Sequence, residues 1–268
     1  MGNRIDTSFA KLRQEERKSF IAYITAGDPS LETSLRVAKT LADAGVDLLE
    51  IGIPFSDPLA DGATIQAASQ RALDAGTTVP KVLDYLRSFR EHSQIPVVLF
   101  TYLNPIYAYG FEKFQRDAVD AGADGILVLD LPPDEAVLNT ELDTLPGLHS
   151  IRLIAPTTPT ERIGEVCKSA EGFIYYVSRE GVTGEQTSLA AGIGEQVAEI
   201  KKSTNLPIAV GFGISSPAQA AEVAKHADAV VVGSAIVRQI AEAAKNGAEI
   251  EKTVYDFAAP LVEATHSA

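Results

Sequence analysis

Tryptophan is absent from this 268-residue chain, cysteine and methionine occur once each, and aromatic residues make up only 7% of it. A single cysteine, Cys167, excludes an internal disulfide framework and any metal cage built from thiolates. Cations are the scarcer charge: 23 Lys and Arg face 36 Asp and Glu, for a net charge of −13. That balance argues against nucleic acid and anionic membrane surfaces as partners, because binding polyphosphate begins with clustered cations. A small anionic substrate stays open if backbone amides bind it locally. Long hydrophobic runs are missing too. Stretches such as Gly125 to Leu129 and Ala229 to Val232 are cut short by Asp and Gly, far below the roughly 18 apolar residues of a membrane span. The opening residues, Met1-Gly2-Asn3-Arg4-Ile5-Asp6, predict no secretory leader and, with Asp6 where Ser or Thr is required, no myristoylation. A cytoplasmic location is expected.

What the chain does contain is an alternation of short apolar runs with amphipathic stretches of helical length. Strands are predicted near Ser19 to Thr25, Asp47 to Ile53, Ile95 to Tyr102, Asp124 to Asp130, His149 to Ile154, Gly172 to Val177, Leu206 to Gly211 and Asp228 to Val232. Helical patterns fall between them, at Leu31 to Ala44, Glu112 to Ala121, Asp134 to Leu145, Ile193 to Lys202 and Ala218 to Lys225. Crossovers of that length make the strands parallel. Two junctions share one punctuation, Ala44-Gly45 before Asp47 and Ala121-Gly122 before Asp124, as expected where Gly ends a helix and the next strand begins. No linker divides the chain, so residues 1–268 are expected to form a single-domain TIM (β/α)8 barrel. An open doubly wound sheet would more naturally carry a Gly-x-Gly-x-x-Gly turn after its first strand, where this chain has Thr25-Ala26-Gly27-Asp28-Pro29. An extra N-terminal helix, with Ile5, Phe9 and Leu12 on one stripe, should cover the N-terminal mouth.

Active sites of such barrels form at the C-terminal ends of the strands, which sorts the polar residues. The four histidines, His92, His149, His226 and His266, precede or open strands or sit in the tail, and no lysine falls at a strand end. A histidine-held metal or base and a Schiff-base lysine are therefore not expected. Carboxylates and aromatics remain. Strand alternation puts Glu50 on the same face as Leu48 and Gly52. A carboxyl in an apolar strand is either bonded structurally to amides or an Arg, or used in chemistry; Gly52 beside it would leave room for a ligand. The long following loop, Pro54 to Gly62, adds Asp57 and Asp61, and Asp61 alone reads equally as a helix cap. Gly211-Phe212-Gly213-Ile214-Ser215 and Gly233-Ser234-Ala235-Ile236-Val237 follow the seventh and eighth strands, where barrels of this kind bind phosphate. The loop Ser178 to Gly184 could be a lid or an ordinary flexible connection. Tyr23, Tyr102, Tyr175 and Phe212 at strand ends suggest a flat apolar pocket, hence a substrate with an aromatic ring at one end and a phosphate at the other.

Taken together, Leu49 to Gly62, Tyr102-Leu103-Asn104-Pro105-Ile106, Ser178 to Gly184, Gly211 to Ser215 and Gly233 to Val237 resemble the alpha subunits of tryptophan synthases. The likeness runs from the first helix to the last. It implies a lyase of tryptophan biosynthesis that splits indole-3-glycerol phosphate into indole and glyceraldehyde 3-phosphate with no cofactor or metal of its own. It also implies a beta subunit carrying pyridoxal phosphate as allosteric partner and receiver of indole, in an alpha2beta2 heterotetramer. By resemblance Glu50 and Asp61 are catalytic; Tyr23, Phe100, Tyr102, Leu127, Tyr175, Thr183 and Phe212 bind the substrate; and Gly184, Gly213, Gly233 and Ser234 hold its phosphate. Thr183 would close onto Asp61, and the loop 54–61 with Asn104 and Pro132 would face the beta subunit. Tyr23 stands where familiar members have Phe, and the eighth unit is slightly short; neither touches the acid and base. A stand-alone lyase releasing free indole is the alternative. A barrel that has lost catalysis would be expected to lack Glu50 or Asp61, and a sugar-phosphate isomerase would lack the carboxylate loop and aromatic pocket.

Overall fold

A computed structural model describes residues 2–132, 147–177, 186–211 and 213–268, without the side chains of 186–191. The helix expected over 134–145, the loop 178–184 and Phe212 lie outside the described residues.

Nine parallel strand segments run β1 (Ser19–Thr25), β2 (Leu48–Gly52), β3 (Val97–Thr101), β4 (Gly125–Val128), β5 (His149–Ser150), β6 (Arg152–Ile154), β7 (Ile174–Val177), β8 (Ile208–Gly211) and β9 (Ala229–Val232). Their order is β5-β4-β3-β2-β1-β9-β8-β7-β6. The two end segments are one extended run: β5 pairs with β4, β6 pairs with β7, and the Ile151 amide still donates to the Ile126 carbonyl at 2.9 Å. The list therefore closes on itself, and the eight strands expected from the sequence form a (β/α)8 barrel, with the fifth handing its ladder from one neighbour to the other at Ile151.

Eleven helices are described around it: α1 (Arg4–Gln14), α2 (Leu31–Asp43), α3 (Ala63–Asp74), α4 (Val79–Arg90), α5 (Leu103–Tyr109), α6 (Phe111–Ala121), α7 (Thr160–Lys168), α8 (Gln186–Lys201), α9 (Pro217–Ala224), α10 (Ser234–Asn246) and α11 (Ile250–His266). The helix expected from Ile193 starts seven residues earlier, at Gln186. Gly192 and Gly194 blur its apolar period, whereas Ala190 and Ala191 are strong helix formers.

The core has two compartments. The larger lies between barrel and helices. The smaller fills the barrel itself with Ile21, Leu48, Val98, Leu127, Ile151, Phe173, Ala209 and Val231, and Ile5 and Phe9 of α1 pack into it from below. The Phe9 ring lies 5.8 Å from that of Phe173. The stripe on α1 thus plugs the N-terminal mouth, as its spacing predicts.

The Asp residues at the unit junctions have a shared task. Asp47 accepts from the Phe20 amide of β1 at 2.7 Å, Asp124 from the Val97 amide of β3 at 2.8 Å, and Asp228 from the Ile208 amide of β8 at 2.9 Å. Each carboxylate before one strand satisfies an amide at the start of a neighbour. β2, β4 and β9 each begin one residue later than expected, just after this Asp. Each carboxylate also ties a basic side chain: His266 on Asp47, Arg4 and Arg90 on Asp124, Lys201 on Asp228. Burial pulls the Arg90 guanidinium down to about 10, and Asp124 is its counter-charge.

All four histidines pair with carboxylates away from the C-terminal mouth: His92 with Asp43, His149 with Asp6 of the plug helix, His226 with Glu222 and His266 with Asp47. Among the described helices none is long and apolar enough to cross a membrane.

Replacing Asp124, whose side chain is 4% exposed, by Ala leaves the Val97 amide without this acceptor and the Arg90 guanidinium without its counter-charge. Urea unfolding should show a loss of about 3 kcal/mol, and Asp228→Ala, at a side chain 29% exposed, should cost clearly less. Equal losses would contradict this account of the struts.

Candidate active site

Alternation along β2 turns Leu48, Glu50 and Gly52 into the barrel, and Glu50 lies in register with Tyr23 of β1 and Val98 of β3. Its side chain is completely buried, and among the described residues neither carboxyl oxygen has a hydrogen-bond partner. The structural alternative of a Glu bonded to amides or an Arg has no support in this geometry. Burial alone, with no counter-charge, pushes the Glu50 carboxyl up to about 8. The room left by Gly52 is not vacant: a Cβ there would lie 2.2 Å from the Tyr23 hydroxyl. Tyr23, rather than a ligand, uses the space beside the carboxyl.

Asp61 sits on the loop between β2 and α3. The N-cap of α3 is Gly62 and no side chain caps the helix, so the capping role is not what Asp61 performs. Its backbone carbonyl accepts from Gln66, and its carboxylate accepts from the Tyr102 hydroxyl at 3.1 Å. Burial raises its pKa to about 6, with the Tyr102 bond working against the rise. The two carboxyls therefore fall on opposite sides of neutrality, because among the described residues one has a donor and partial exposure and the other has neither.

A cavity of about 660 Å³ opens at the C-terminal mouth, within the size range of small-molecule sites. Asp61, Tyr23, Phe100 and Tyr175 form part of its wall, with Ile65, Leu129 and Leu153, and Gly213, Gly233 and Ser234 form another part. The Phe100 ring stands edge-on to Tyr23 at 5.1 Å and to Tyr175 at 6.4 Å. Gly211 admits the Tyr175 ring, since a Cβ there would come within 2.7 Å of its hydroxyl. Burial holds the Tyr23 and Tyr175 hydroxyls above the ordinary phenol range, and the Glu50 charge adds to the rise.

The strand order places β1 between β2 and β9. The carboxylate loop and the N-terminus of α10 are thus two strand spacings apart, roughly 10 Å. No side chain caps α10, and an uncapped helix N-terminus facing a cavity is suited to an anion.

Of the residues singled out from the sequence, Asp61, Tyr23, Phe100, Tyr175, Gly213, Gly233 and Ser234 meet at this cavity. Glu50, Leu127 and Tyr102 are buried and are not wall residues. Thr183, Gly184 and Phe212 lie outside the described residues. Two features escaped sequence reasoning. Arg238 of α10 lines the cavity one residue beyond the Gly233 to Val237 motif, and its helical position was the only available signal. Asp28, 1% exposed, takes both arms of Arg71 at 2.7 and 2.8 Å, bracing the loop after β1 against α3. Among the described residues no group of three His, Cys, Asp or Glu could hold a metal.

The family model described as tryptophan synthase alpha chain matches residues 9–266. The chain is 52% identical to the tryptophan synthase alpha chain of Geotalea daltonii over 88% of this chain and 89% of that one. It is 47% identical to that of Opitutus terrae over 98% and 99%. Among solved structures, tryptophan synthase subunit alpha from Legionella pneumophila str. Paris superposes with a TM-score of 0.91 at 40% identity, covering 99% of both chains. Tryptophan synthase from M. tuberculosis gives 0.85 at 31% identity over 98% and 99%.

Burying Glu50 protonated has a cost that depends on pH. Between the ordinary Glu value and about 8 the unfolded chain gives up this proton and the folded chain keeps it. Stability contributed at this site then falls as pH rises, by about 1 kcal/mol per unit, and levels off above pH 8. Glu50→Gln removes the slope, so the variant should gain on the parent chain from pH 5 to 8 in urea unfolding. A difference independent of pH would contradict the buried, protonated carboxyl.

Proposed function

The chain belongs to the tryptophan synthase alpha chain family, and from that premise we propose that it cleaves indole-3-glycerol phosphate to indole and glyceraldehyde 3-phosphate by a retro-aldol step. The observation that carries this reading is the pair of carboxyls at one end of the barrel, Asp61 in the cavity wall and Glu50 buried without a described hydrogen-bond partner, which burial sets on opposite sides of pH 7, Glu50 at about 8 and Asp61 at about 6.

The bond to be broken joins indole C3 to the carbon that bears the first side-chain hydroxyl. C3 must gain a proton, which puts positive charge on the ring nitrogen. The hydroxyl must then lose its proton, so that its oxygen becomes the aldehyde while the bonding pair returns to C3 and restores the neutral indole. Glu50, protonated at neutral pH, supplies the proton to C3, and its carboxylate recovers one from the hydroxyl, ending as it began. To reach the ring its side chain turns from its buried position into the cavity. Asp61, ionised at the same pH, accepts the ring N–H and stabilises the charge that develops there. Tyr23, Phe100 and Tyr175 clamp the indole, and Gly213, Gly233 and Ser234 with the start of α10 take the phosphate; Thr183, Gly184 and Phe212 are assigned the substrate roles that the family likeness gives them. The roughly 10 Å between the carboxylate loop and α10 suits a ring at one end and a phosphate at the other.

The steps use side chains alone, with pyridoxal phosphate assigned to a beta subunit as partner in an alpha2beta2 assembly. Support for a docking face at the mouth comes from Leu59, 92% exposed on the carboxylate loop, and Tyr107, 70% exposed on α5. Large apolar side chains so exposed are characteristic of contact surfaces. We place the protein in the cytoplasm as an enzyme of tryptophan biosynthesis. A stand-alone lyase is not favoured, since the relatives at this identity are named as tryptophan synthase alpha chains.

Purified chain should release indole from indole-3-glycerol phosphate slowly alone and much faster with a tryptophan synthase beta subunit added. Glu50→Gln should lose about a hundredfold or more in kcat with KM little changed. No indole in either condition would withdraw the reaction, and near-normal turnover in Glu50→Gln would remove Glu50 from it.

A further inference from the structure

Tyr102 resembles a pocket aromatic in the sequence, yet it lies behind the wall: Ala60 and Asp61 line the cavity and Tyr102 does not. Its hydroxyl uses both of its bonding capacities on the carboxylate loop, donating to Asp61 Oδ2 at 3.1 Å and accepting the Ala60 amide at 3.0 Å. Its ring, 4% exposed, packs at 5.4 Å against Phe55 near the other end of that loop. Tyr102 is itself anchored, because it is the N-cap of α5 and the next amide, Leu103, donates to Asp130 beyond β4 at 2.7 Å. We propose that Tyr102 is the positioning residue for Asp61, tying the carboxylate and the adjoining backbone to the end of β3 so that the group is presented to the cavity in one orientation.

The groups facing Asp61 leave the task to Tyr102. Tyr23 of β1, Tyr175 of β7 and Arg238 of α10 line the same cavity, and Glu50 of β2 lies beneath it, but among the described residues only Tyr102 bonds the Asp61 side chain. Burial favours the neutral acid, and the Tyr102 donor opposes it. A carboxylate that must be ionised to stabilise a positive ring nitrogen is favoured by such a donor. The catalytic consequence rests on the role proposed for Asp61; the positioning does not.

Tyr102→Phe removes one oxygen and keeps the ring. Carbon-13 NMR of the Asp carboxyls, with Asp61 assigned by Asp61→Asn, should show the Asp61 midpoint rising by about one pH unit in Tyr102→Phe, and the Ala60 amide should exchange faster with solvent. The acidic limb of kcat/KM for indole-3-glycerol phosphate should move upward by the same amount, leaving a smaller defect at pH 8 than at pH 6. As a second variant, Asp130→Ala frees the Leu103 amide and loosens Tyr102 from a distance, and it should shift Asp61 in the same direction by less. An Asp61 midpoint unchanged in both variants overturns the proposal. A shifted midpoint in a chain that releases no indole supports Tyr102 and sinks the reaction instead.

Discussion

A carboxyl buried inside a closed barrel with no hydrogen-bond partner among the described residues is the constraint on which the rest of the structure depends. Among the described residues neither an amide nor a guanidinium bonds Glu50, and burial is what raises its carboxyl. Such a site is expensive to build. It survives because the surrounding shell is apolar, tightly packed and closed at the bottom by α1, whose Ile5 and Phe9 seal the interior on the side away from the chemistry. An open sheet would let water reach the same position and return the carboxyl to its ordinary range.

The two ends of the barrel divide the work. At the N-terminal end, Asp47, Asp124 and Asp228 each satisfy a strand amide and bind a basic side chain. These fixed charges sit where strands begin, and one of them, Asp47, holds His266 in a structural pair. The C-terminal end keeps its polar groups few and unevenly partnered. Among the described residues Asp61 has one side-chain donor and Glu50 has none, and no side chain caps α10. That unevenness separates two chemically similar acids by environment, and a reaction that needs one proton donor and one standing negative charge requires such a separation.

Much of this was legible in the sequence, for identifiable reasons. Strand count, parallel order and the plug stripe follow from hydrophobic period and length, which depend on local residues. Glu50 stood out because a carboxyl interrupts an apolar strand, and Asp61 because its loop is long. What stayed hidden depends on which distant side chains the closed barrel brings together. Tyr102 and Asp61 are 41 positions apart, and nothing local distinguishes a tyrosine that lines a pocket from one that braces it. The space beside Gly52 looked free until the Tyr23 ring from the neighbouring strand was found in it. Arg238 lay one residue past a motif read for its glycines. The break of the fifth strand at Ile151 likewise reflects the geometry of closure and leaves no mark in the local pattern.

The most direct test of the central claim is isotope-edited infrared spectroscopy of the unliganded protein carrying labelled Glu, with Glu50→Gln to identify the Glu50 signal. The account predicts a protonated-carboxyl band at pH 7 that is missing in the variant and titrates away with a midpoint of about 8. A Glu50 carboxyl already fully ionised at pH 6 would contradict it, and with it the acid–base assignment built on that proton.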